Sequence, residues 1–298
     1  MRRAVLLAAA VLAATATLVA GSTAFVYEPP AVPTMAPTTP TAPAQRRHPT
    51  TPTLTRSQRD ELTRALRRYL DGRTGDLSIS VREASTGLSY SYGDGLRTAT
   101  ASIVKVDIVM ALLLRAQHER RALTSSEKAL AERAIKVSDN DAASALWRSV
   151  GGARGLASAN RRLGLRDTEP GPGGAWGSTT TSAADQIRLL TALTSADSPL
   201  SSASRRYVRR LMGDVAPEQA WGVSAAGTGA EVKNGWLPRE RHGGAWTVNS
   251  IGIVAIAGRT FLLAALSERD STLRDGVETL EHVCGTVAAA LVRASIET

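Results

Sequence analysis

The stretch ATASIVKVDIVMALLLRA, residues 99–116, places a single lysine inside a run that is otherwise almost wholly apolar. The run predicts a strongly apolar, buried helix from Ser102 to Gln117. Lys105 follows Ser102 by three residues, in a chain that has only four lysines and draws nearly all its positive charge from arginine. Arginine cannot lose its proton in a protein, whereas a desolvated lysine can. Lys105 is therefore a candidate for acid–base chemistry.

The composition narrows the class of protein. A chain of 298 residues suits one large domain or two modest ones, and a domain of this size buries its core without covalent staples. The lone cysteine, Cys284, lies in an apolar helical stretch and is predicted to be a core thiol. The net charge of +9 comes without zinc spacing, aromatic-rich strands or a lysine tract, so no nucleic-acid partner is expected. A general affinity for anionic wall polymer or lipid head groups stays open.

The N-terminal segment predicts export. Two arginines precede an apolar and small-residue run over residues 4–20, and a cleavage site could follow Ala24. Residues 1–24 are therefore a signal peptide or a signal anchor. The run is long for a cleaved peptide and short for a membrane span, so a tether through residues 4–20 stays open. No cysteine follows the run, which excludes a lipid anchor of the bacterial lipoprotein kind.

The folded domain is expected over residues 54–298. Residues 25–53 are rich in proline and threonine and predict an extended linker, because they cannot bury enough apolar surface to fold. Beyond the linker, strand patterns lie at both ends of the domain, and helical patterns fill the middle and close the termini. The predicted helices cover 57–72, 102–117, 123–152 (one or two helices), 184–193, 202–214 and 275–294; the strands form a hairpin over 77–95 and runs at 230–237, 245–257 and 260–268. This order predicts an α+β fold, in which an antiparallel sheet carries the N- and C-terminal helices and an all-helical lobe completes the domain.

Three short motifs carry the candidate chemistry, and each has a plain structural explanation when it stands alone. Ser-x-x-Lys at 102–105 is a weak pattern, since 125–128 repeats it in the capped first turn of a predicted helix. Ser-Asp-Asn at 138–140 could simply cap a helix. Lys-Asn-Gly at 233–235 could be a hairpin turn, although Trp236 and the next residue continue the strand pattern.

Taken together and in this order, the three motifs resemble the class A β-lactamase group of the penicillin-recognising serine acyltransferases. The resemblance extends from about Leu54 to the C-terminus and implies a β-lactamase/transpeptidase-like fold. A serine hydroxyl needs a base to become a good nucleophile, and Lys105 lies one helical turn beyond Ser102. Burial and the like charge of Lys233 would favour its neutral form. Ser102, at the start of its helix, also presents half of an oxyanion hole through its own N–H.

The resemblance implies roles for the remaining motif residues. Ser138 would relay a proton to the leaving amine, and Asn140 would bind the substrate amide carbonyl and steady Lys105. Lys233 would lower the pKa of Ser138 and attract a substrate carboxylate. The backbone N–H of Trp236, just after Gly235, would complete the oxyanion hole, and Asp139 would be mainly structural.

Four positions depart from the family pattern or extend it. Asn234 stands where the family usually has threonine or serine, and its amide could still donate to a substrate carboxylate. The loop that carries the deacylating glutamate in class A enzymes is short and glycine-rich here, and Glu169 is its only glutamate. Arg239 and Arg241 follow the Lys-Asn-Gly strand and could help to hold a carboxylate or simply lie on a solvated turn.

The sequence thus predicts an extracytoplasmic bacterial serine hydrolase that is acylated at Ser102 and deacylates slowly. The acyl donor would be a small-molecule β-lactam or a D-alanyl peptidoglycan stem peptide. Two alternatives stay open: a D,D-carboxypeptidase-type wall enzyme, and a non-catalytic penicillin-recognising module. No cofactor and no metal are expected, and the protein is predicted to be a monomer.

Overall fold

The computed structural model describes residues 53–296, so the predicted signal segment and almost all of the predicted linker lie outside the described residues. The helices of this part of the chain are α1 Arg56–Leu70, α2 Val104–His118, α3 Ser125–Lys136, α4 Asn140–Ser149, α5 Gly152–Leu163, α6 Ala183–Thr194, α7 Ser202–Gly213 and α8 Leu273–Ile296. The strands are β1 Asp76–Glu83, β2 Ser89–Tyr92, β3 Thr98–Ala99, β4 Thr180–Thr181, β5 Thr228–Pro238, β6 Trp246–Ile256 and β7 Arg259–Asp270.

Five strands form one antiparallel sheet in the order β2-β1-β7-β6-β5, and β3 pairs separately with β4. The predicted hairpin supplies β1 and β2, and β1 pairs with β7 from the other end of the domain. The predicted α+β fold, with a sheet built from both ends of the chain, is confirmed. Strand β7 is central, and its residues alternate between two cores: Leu262 and Ala264 belong to one, and Leu263 and Ala265 to the other.

The terminal helices cover one face of the sheet, as predicted. Leu62 and Leu66 of α1 and Val283 and Val287 of α8 share a core with the strand residues of that face. Cys284 lies in the same core, and burial raises the pKa of its thiol to about 12, so the cysteine is a packing residue.

The helical lobe covers the other face and is organised around α2. Twelve of the fifteen residues of α2 are buried, so the helix has no solvent stripe and is surrounded on all sides. The helix begins two residues later than predicted, because residues 101–103 form a 3₁₀ turn that leads into it. Lys105 is fully buried in its first turn.

One helix is absent from the prediction. The sequence pattern assigned no element to residues 153–163, where α5 lies. Leu156, Ala159 and Leu163 form its buried stripe, and Gly164 ends it in the left-handed conformation. Among the described helices, none has the length and apolar character that crossing a bilayer requires.

Candidate active site

Ser102 lies in the 3₁₀ turn before α2, and the sheet holds this turn in place. The Nδ2 of Asn249, on β6, donates to the carbonyls of Ala99 at 2.8 Å and Thr100 at 3.1 Å. Ala101 adopts a φ of +48°, a conformation that costs an L-residue about 1–2 kcal/mol. Backbone strain of this kind persists where surrounding contacts over-determine the conformation, and it clusters at functional sites.

Gly235 brings the edge strand β5 against the beginning of this turn. A Cβ atom at this position would lie 2.6 Å from the amide nitrogen of Ser102 and 2.8 Å from that of Ile103. Backbone atoms cannot yield to such a contact, so only glycine fits. Trp236 follows directly and lines the same cleft as Ser102. The strand therefore passes next to the amide that the sequence assigned to an oxyanion hole.

The Lys105 amine makes three hydrogen bonds, all to the Ser-Asp-Asn motif. It donates to the Ser138 carbonyl at 2.6 Å, to Ser138 Oγ at 3.0 Å and to Asn140 Oδ1 at 2.8 Å. Ser138 has a φ of +57°, the left-handed conformation, and it presents its carbonyl and its hydroxyl to the same amine. Ser138 and Asn140 of the second motif are thus the hydrogen-bond partners of the lysine in the first motif.

Lys233 approaches the same hydroxyl from β5. Its Nζ lies 3.1 Å from Ser138 Oγ and donates to the Asn234 carbonyl at 2.8 Å, and the side chain is 1% exposed. The Ser138 hydroxyl therefore lies between two buried amines. Within residues 53–296, neither amine forms an ion pair with a carboxylate: every polar partner of Lys105 and Lys233 is a hydroxyl, an amide oxygen or a backbone carbonyl.

Burial shifts the proton affinity of both amines. It lowers the pKa of Lys105 to about 8, and the charge of Asp139 opposes part of this effect. Burial also holds the pKa of Lys233 well below its usual range, and the charge of Lys105 adds to the shift. Two like charges without a counter-ion disfavour double protonation, so this pair supplies a neutral amine near physiological pH.

Asp139 has the structural role that the sequence suggested. Its carboxylate caps α4 by accepting from the Ala142 N–H at 2.7 Å, and it pairs with Arg133 at 2.6 Å. The cap fixes the start of α4, where Asn140 is the first helical residue. Asn140 thereby keeps its carboxamide on the Lys105 amine.

The cleft beside Ser102 has a volume of about 370 Å³ and is lined by Ala101, Ser102, Asn140, Gly174, Ala175, Trp176, Gly177, Ser178, Trp236 and Leu237. Trp176, which the sequence reasoning did not single out, faces the Lys105 amine with its ring centroid 4.9 Å from Nζ. Its indole N–H donates to Ser144 Oγ on α4 at 3.0 Å. A tryptophan in an otherwise glycine-rich loop is the one signal in the sequence that could have marked it.

Asn249 is a second residue that the sequence reasoning missed. It is fully buried in β6, within a run of apolar strand residues. A buried carboxamide in such a run needs partners, and its partners here are the carbonyls that precede the Ser102 turn. A carboxamide in a strand whose residues are mostly apolar was the available signal in the sequence.

The expected role of Asn234 is wrong. Its side chain is fully buried, and its Nδ2 donates to the carbonyls of Gln219 at 2.8 Å and Trp221 at 3.0 Å. Successive side chains of a strand point to opposite faces, so Lys233 and Gly235 share the cleft side while Asn234 points away from it. Because its side-chain N–H groups donate to backbone carbonyls, they are not available to a ligand in the cleft.

Glu169 and the two arginines do not line the cleft. Glu169 is exposed, and its backbone exchanges two hydrogen bonds with Thr180, at 3.0 and 2.9 Å. Arg241 is exposed on the turn beyond β5 and pairs with Glu268 at 3.7 Å, and Arg239 is half-buried on the same turn. The structure thus brings together the three motifs without a carboxylate from the short loop.

Comparison with known proteins agrees with this arrangement. A family model described as the β-lactamase enzyme family matches residues 122–294. The match includes Ser138 and Lys233 and begins after Ser102 and Lys105, so the role of the latter pair rests on the geometry of the site. Among solved structures, the TLA-1 extended-spectrum β-lactamase superposes with a TM-score of 0.71 at 17% identity, over 79% of this chain and 99% of that one. PBP-A superposes with a TM-score of 0.68 at 21% identity, over 82% and 99%. At these identities the likeness shows the fold alone.

Curated relatives come from mycobacteria. A protein named "Putative lipoprotein LppW", from Mycobacterium tuberculosis and Mycobacterium bovis, is 35% identical over 112 residues. The matched segment is 38% of this chain and spans 36%, about a third, of the length of these relatives.

Proposed function

Because this chain belongs to the β-lactamase enzyme family, we propose that it is a serine hydrolase that becomes acylated at Ser102 and deacylates slowly. The observation that carries the proposal is the Ser138 hydroxyl held 3.0 Å from Lys105 Nζ and 3.1 Å from Lys233 Nζ, two amines that form no ion pair with a carboxylate within the described residues. Such a hydroxyl can pass a proton in either direction between a base and a leaving group.

Acylation uses each of these groups once. Ser102 Oγ attacks the carbonyl carbon of the substrate amide, and its proton goes to the neutral amine of Lys105. The developing oxyanion is bound by the backbone N–H groups of Ser102 and Trp236. The C–N bond then breaks, and the leaving nitrogen takes the Ser138 proton. The Lys105 amine returns a proton to Ser138, so the lysine ends neutral and the product is an ester on Ser102.

The substrate class follows from the charges and walls of the cleft. Its volume of about 370 Å³ falls in the ordinary range for small-molecule sites. When the pair carries its single proton on Lys233, that amine is the cation available to a substrate carboxylate, since Asn234 faces away and the arginines do not line the cleft. The side-chain N–H of Asn140 can donate a hydrogen bond to the substrate amide carbonyl. A β-lactam and a D-alanyl peptide both present a carbonyl and a carboxylate of this kind.

Slow deacylation follows from the missing carboxylate. The ester needs a water molecule and a base to activate it, and Glu169 is exposed on the short loop, away from the cleft lining. The acyl-enzyme should therefore accumulate. Activity on β-lactams would then appear as a stoichiometric burst followed by slow turnover.

An extracytoplasmic location fits this chemistry. The mycobacterial relatives are named as a lipoprotein, and the basic start and apolar run over residues 4–20 fit export. The chain has its only cysteine at position 284, within the fold. An uncleaved apolar run would itself serve as a membrane anchor.

Intact-protein mass spectrometry with a fluorescent penicillin tests the proposal. A single adduct of the mass of the intact penicillin should form and decay slowly, and a D-alanyl-D-alanine peptide ester tested in parallel distinguishes the wall substrate. A pre-steady-state trace with a chromogenic cephalosporin should give a burst that Glu169→Gln leaves unchanged. No adduct with either reagent would contradict acylation, and rapid turnover that collapses in Glu169→Gln would contradict the slow step.

A further inference from the structure

We propose that Trp176 is the positioning residue that keeps water from the Lys105 amine and so prolongs the acyl-enzyme. This inference rests on the proposed function and adds a cause for its slow step that lies in one side chain. The missing carboxylate alone would leave Lys105 itself as a base for water. Trp176 closes that route.

The contacts of Lys105 leave one side for the indole. In its neutral form the amine donates to the Ser138 carbonyl and to Asn140 Oδ1, which can only accept, and its lone pair is left for the Ser138 hydroxyl or for a water molecule. The ring of Trp176 lies against the same amine at 4.9 Å, within cation–π range. A ring face offers a water molecule no strong hydrogen-bond partner, so this side of the amine stays dry.

The indole is fixed from outside its own loop. Its N–H donates to Ser144 Oγ on α4 at 3.0 Å, and so it is not free to hold a water molecule. A second anchor is Trp147, also on α4, whose indole N–H donates to the carbonyl of Gly173 at 3.2 Å. Helix α4 thus holds a glycine-rich loop in one position, with the ring over the amine.

The step that the ring obstructs is the hydrolysis of the ester. A water oxygen attacks the ester carbonyl carbon, and one water proton goes to the neutral amine of Lys105. The carbonyl C–Oγ bond then breaks, Ser102 Oγ takes that proton from Lys105, and a carboxylic acid leaves. A general base must lie within about 3 Å of the water that it activates. The indole occupies the approach to the amine, whereas its removal would leave room for that water.

The test is the lifetime of the penicilloyl-enzyme after unbound reagent is removed. We expect the penicilloyl adduct of Trp176→Ala to have a lifetime at least tenfold shorter than that of the unmodified protein. Trp176→Phe keeps a ring over the amine and should stay within threefold of the unmodified protein. Ser144→Ala keeps the indole but releases its anchor, and should give an intermediate lifetime. In Trp176→Ala the release rate should rise with pH, because only the neutral Lys105 amine can accept the water proton.

The outcomes separate this inference from the proposed function. If the unmodified protein takes no label, the proposed function fails. If it labels and its lifetime is unchanged in a folded Trp176→Ala, the role of Trp176 is overturned while acylation stands. Should Trp176→Ala prove unfolded by circular dichroism, Ser144→Ala decides: a shorter lifetime supports a fixed indole, and an unchanged lifetime rejects it.

Discussion

Two segments of this chain carry the same Ser-x-x-Lys pattern and have opposite surroundings. Ser102 and Lys105 lie where the helical lobe meets the sheet, and Lys105 is fully buried. Ser125 and Lys128 lie in the first turn of α3, and both are exposed. Thr124 caps that turn through a capping box with Glu127, which explains the polar residues there without any chemistry.

The difference shows what the spacing needs before it can become a site. At 102–105 the amine meets the Ser138 hydroxyl, and the edge strand β5 approaches through Gly235. At 125–128 the lysine is exposed. Burial without a counter-ion, as at Lys105, favours the neutral form of a lysine. The surroundings of the lysine, and not the Ser-x-x-Lys spacing, therefore determine whether it can act as a base.

The largest expected effect is on labelling by a penicillin probe. Ser102→Ala removes the nucleophile and should abolish the adduct, whereas the matched variant Ser125→Ala should label at the rate of the unmodified protein. Gel fluorescence with a fluorescent penicillin measures both. Labelling that survives in Ser102→Ala would show that another residue is the nucleophile and would contradict the distinction drawn between the two Ser-x-x-Lys segments.

A second contrast concerns the two lysines. Lys105→Arg keeps the positive charge and removes the neutral amine, so the acylation rate should fall by about two or more orders of magnitude. Lys128→Arg should leave the rate unchanged, because that side chain is exposed. Stopped-flow acylation compares the pair. A nearly normal rate in Lys105→Arg would mean that another group takes the serine proton.

The pH dependence sharpens the account of the base. Acylation should rise with pH and level off above about 8, since only the neutral Lys105 amine accepts a proton. The charge of Asp139 raises the pKa of this lysine. Asp139→Asn keeps a good helix cap and removes that charge, so the midpoint should move to lower pH. A midpoint that stays in place would show that the profile belongs to another group.

The smallest effect should come from the exposed segment. Thr124→Ala removes the cap of α3 and should lower the free energy of unfolding by about 1 kcal/mol. Urea denaturation measures this loss, and penicillin labelling should be unaffected. A large loss of labelling at unchanged stability would connect α3 to the chemistry and weaken the contrast.

The sequence predicted the parts of the fold that depend on local periodicity. Alternating runs gave the strands, and their position at both ends of the domain gave the sheet. Helix α5 was missed because the glycines and arginines of its segment obscured a short stripe of three buried apolar residues. The three motifs were found from residue type and spacing, and their partners were implied by the resemblance to the class A β-lactamase group.

Two features of the site depend on the direction in which a side chain points, and this direction was not predicted from the sequence. The pleat of β5 turns Asn234 away from the cleft once Lys233 faces it, and strict alternation would have predicted this. Trp176 reaches Lys105 through a loop whose path is fixed by contacts with α4, 32 residues away in sequence at Ser144. Local pattern does not encode such a contact.

The position of the adduct tests the central claim most directly. Cleavage after lysine and arginine separates the two patterns, because Ser102 lies in the peptide 98–105 and Ser125 lies in the peptide 122–128. After brief exposure to penicillin, tandem mass spectrometry should find the penicilloyl group on Ser102 alone, with the peptide 122–128 unmodified. An adduct on Ser125, or one spread over both peptides, would contradict the claim that a buried, carboxylate-free lysine pair makes Ser102 the nucleophile.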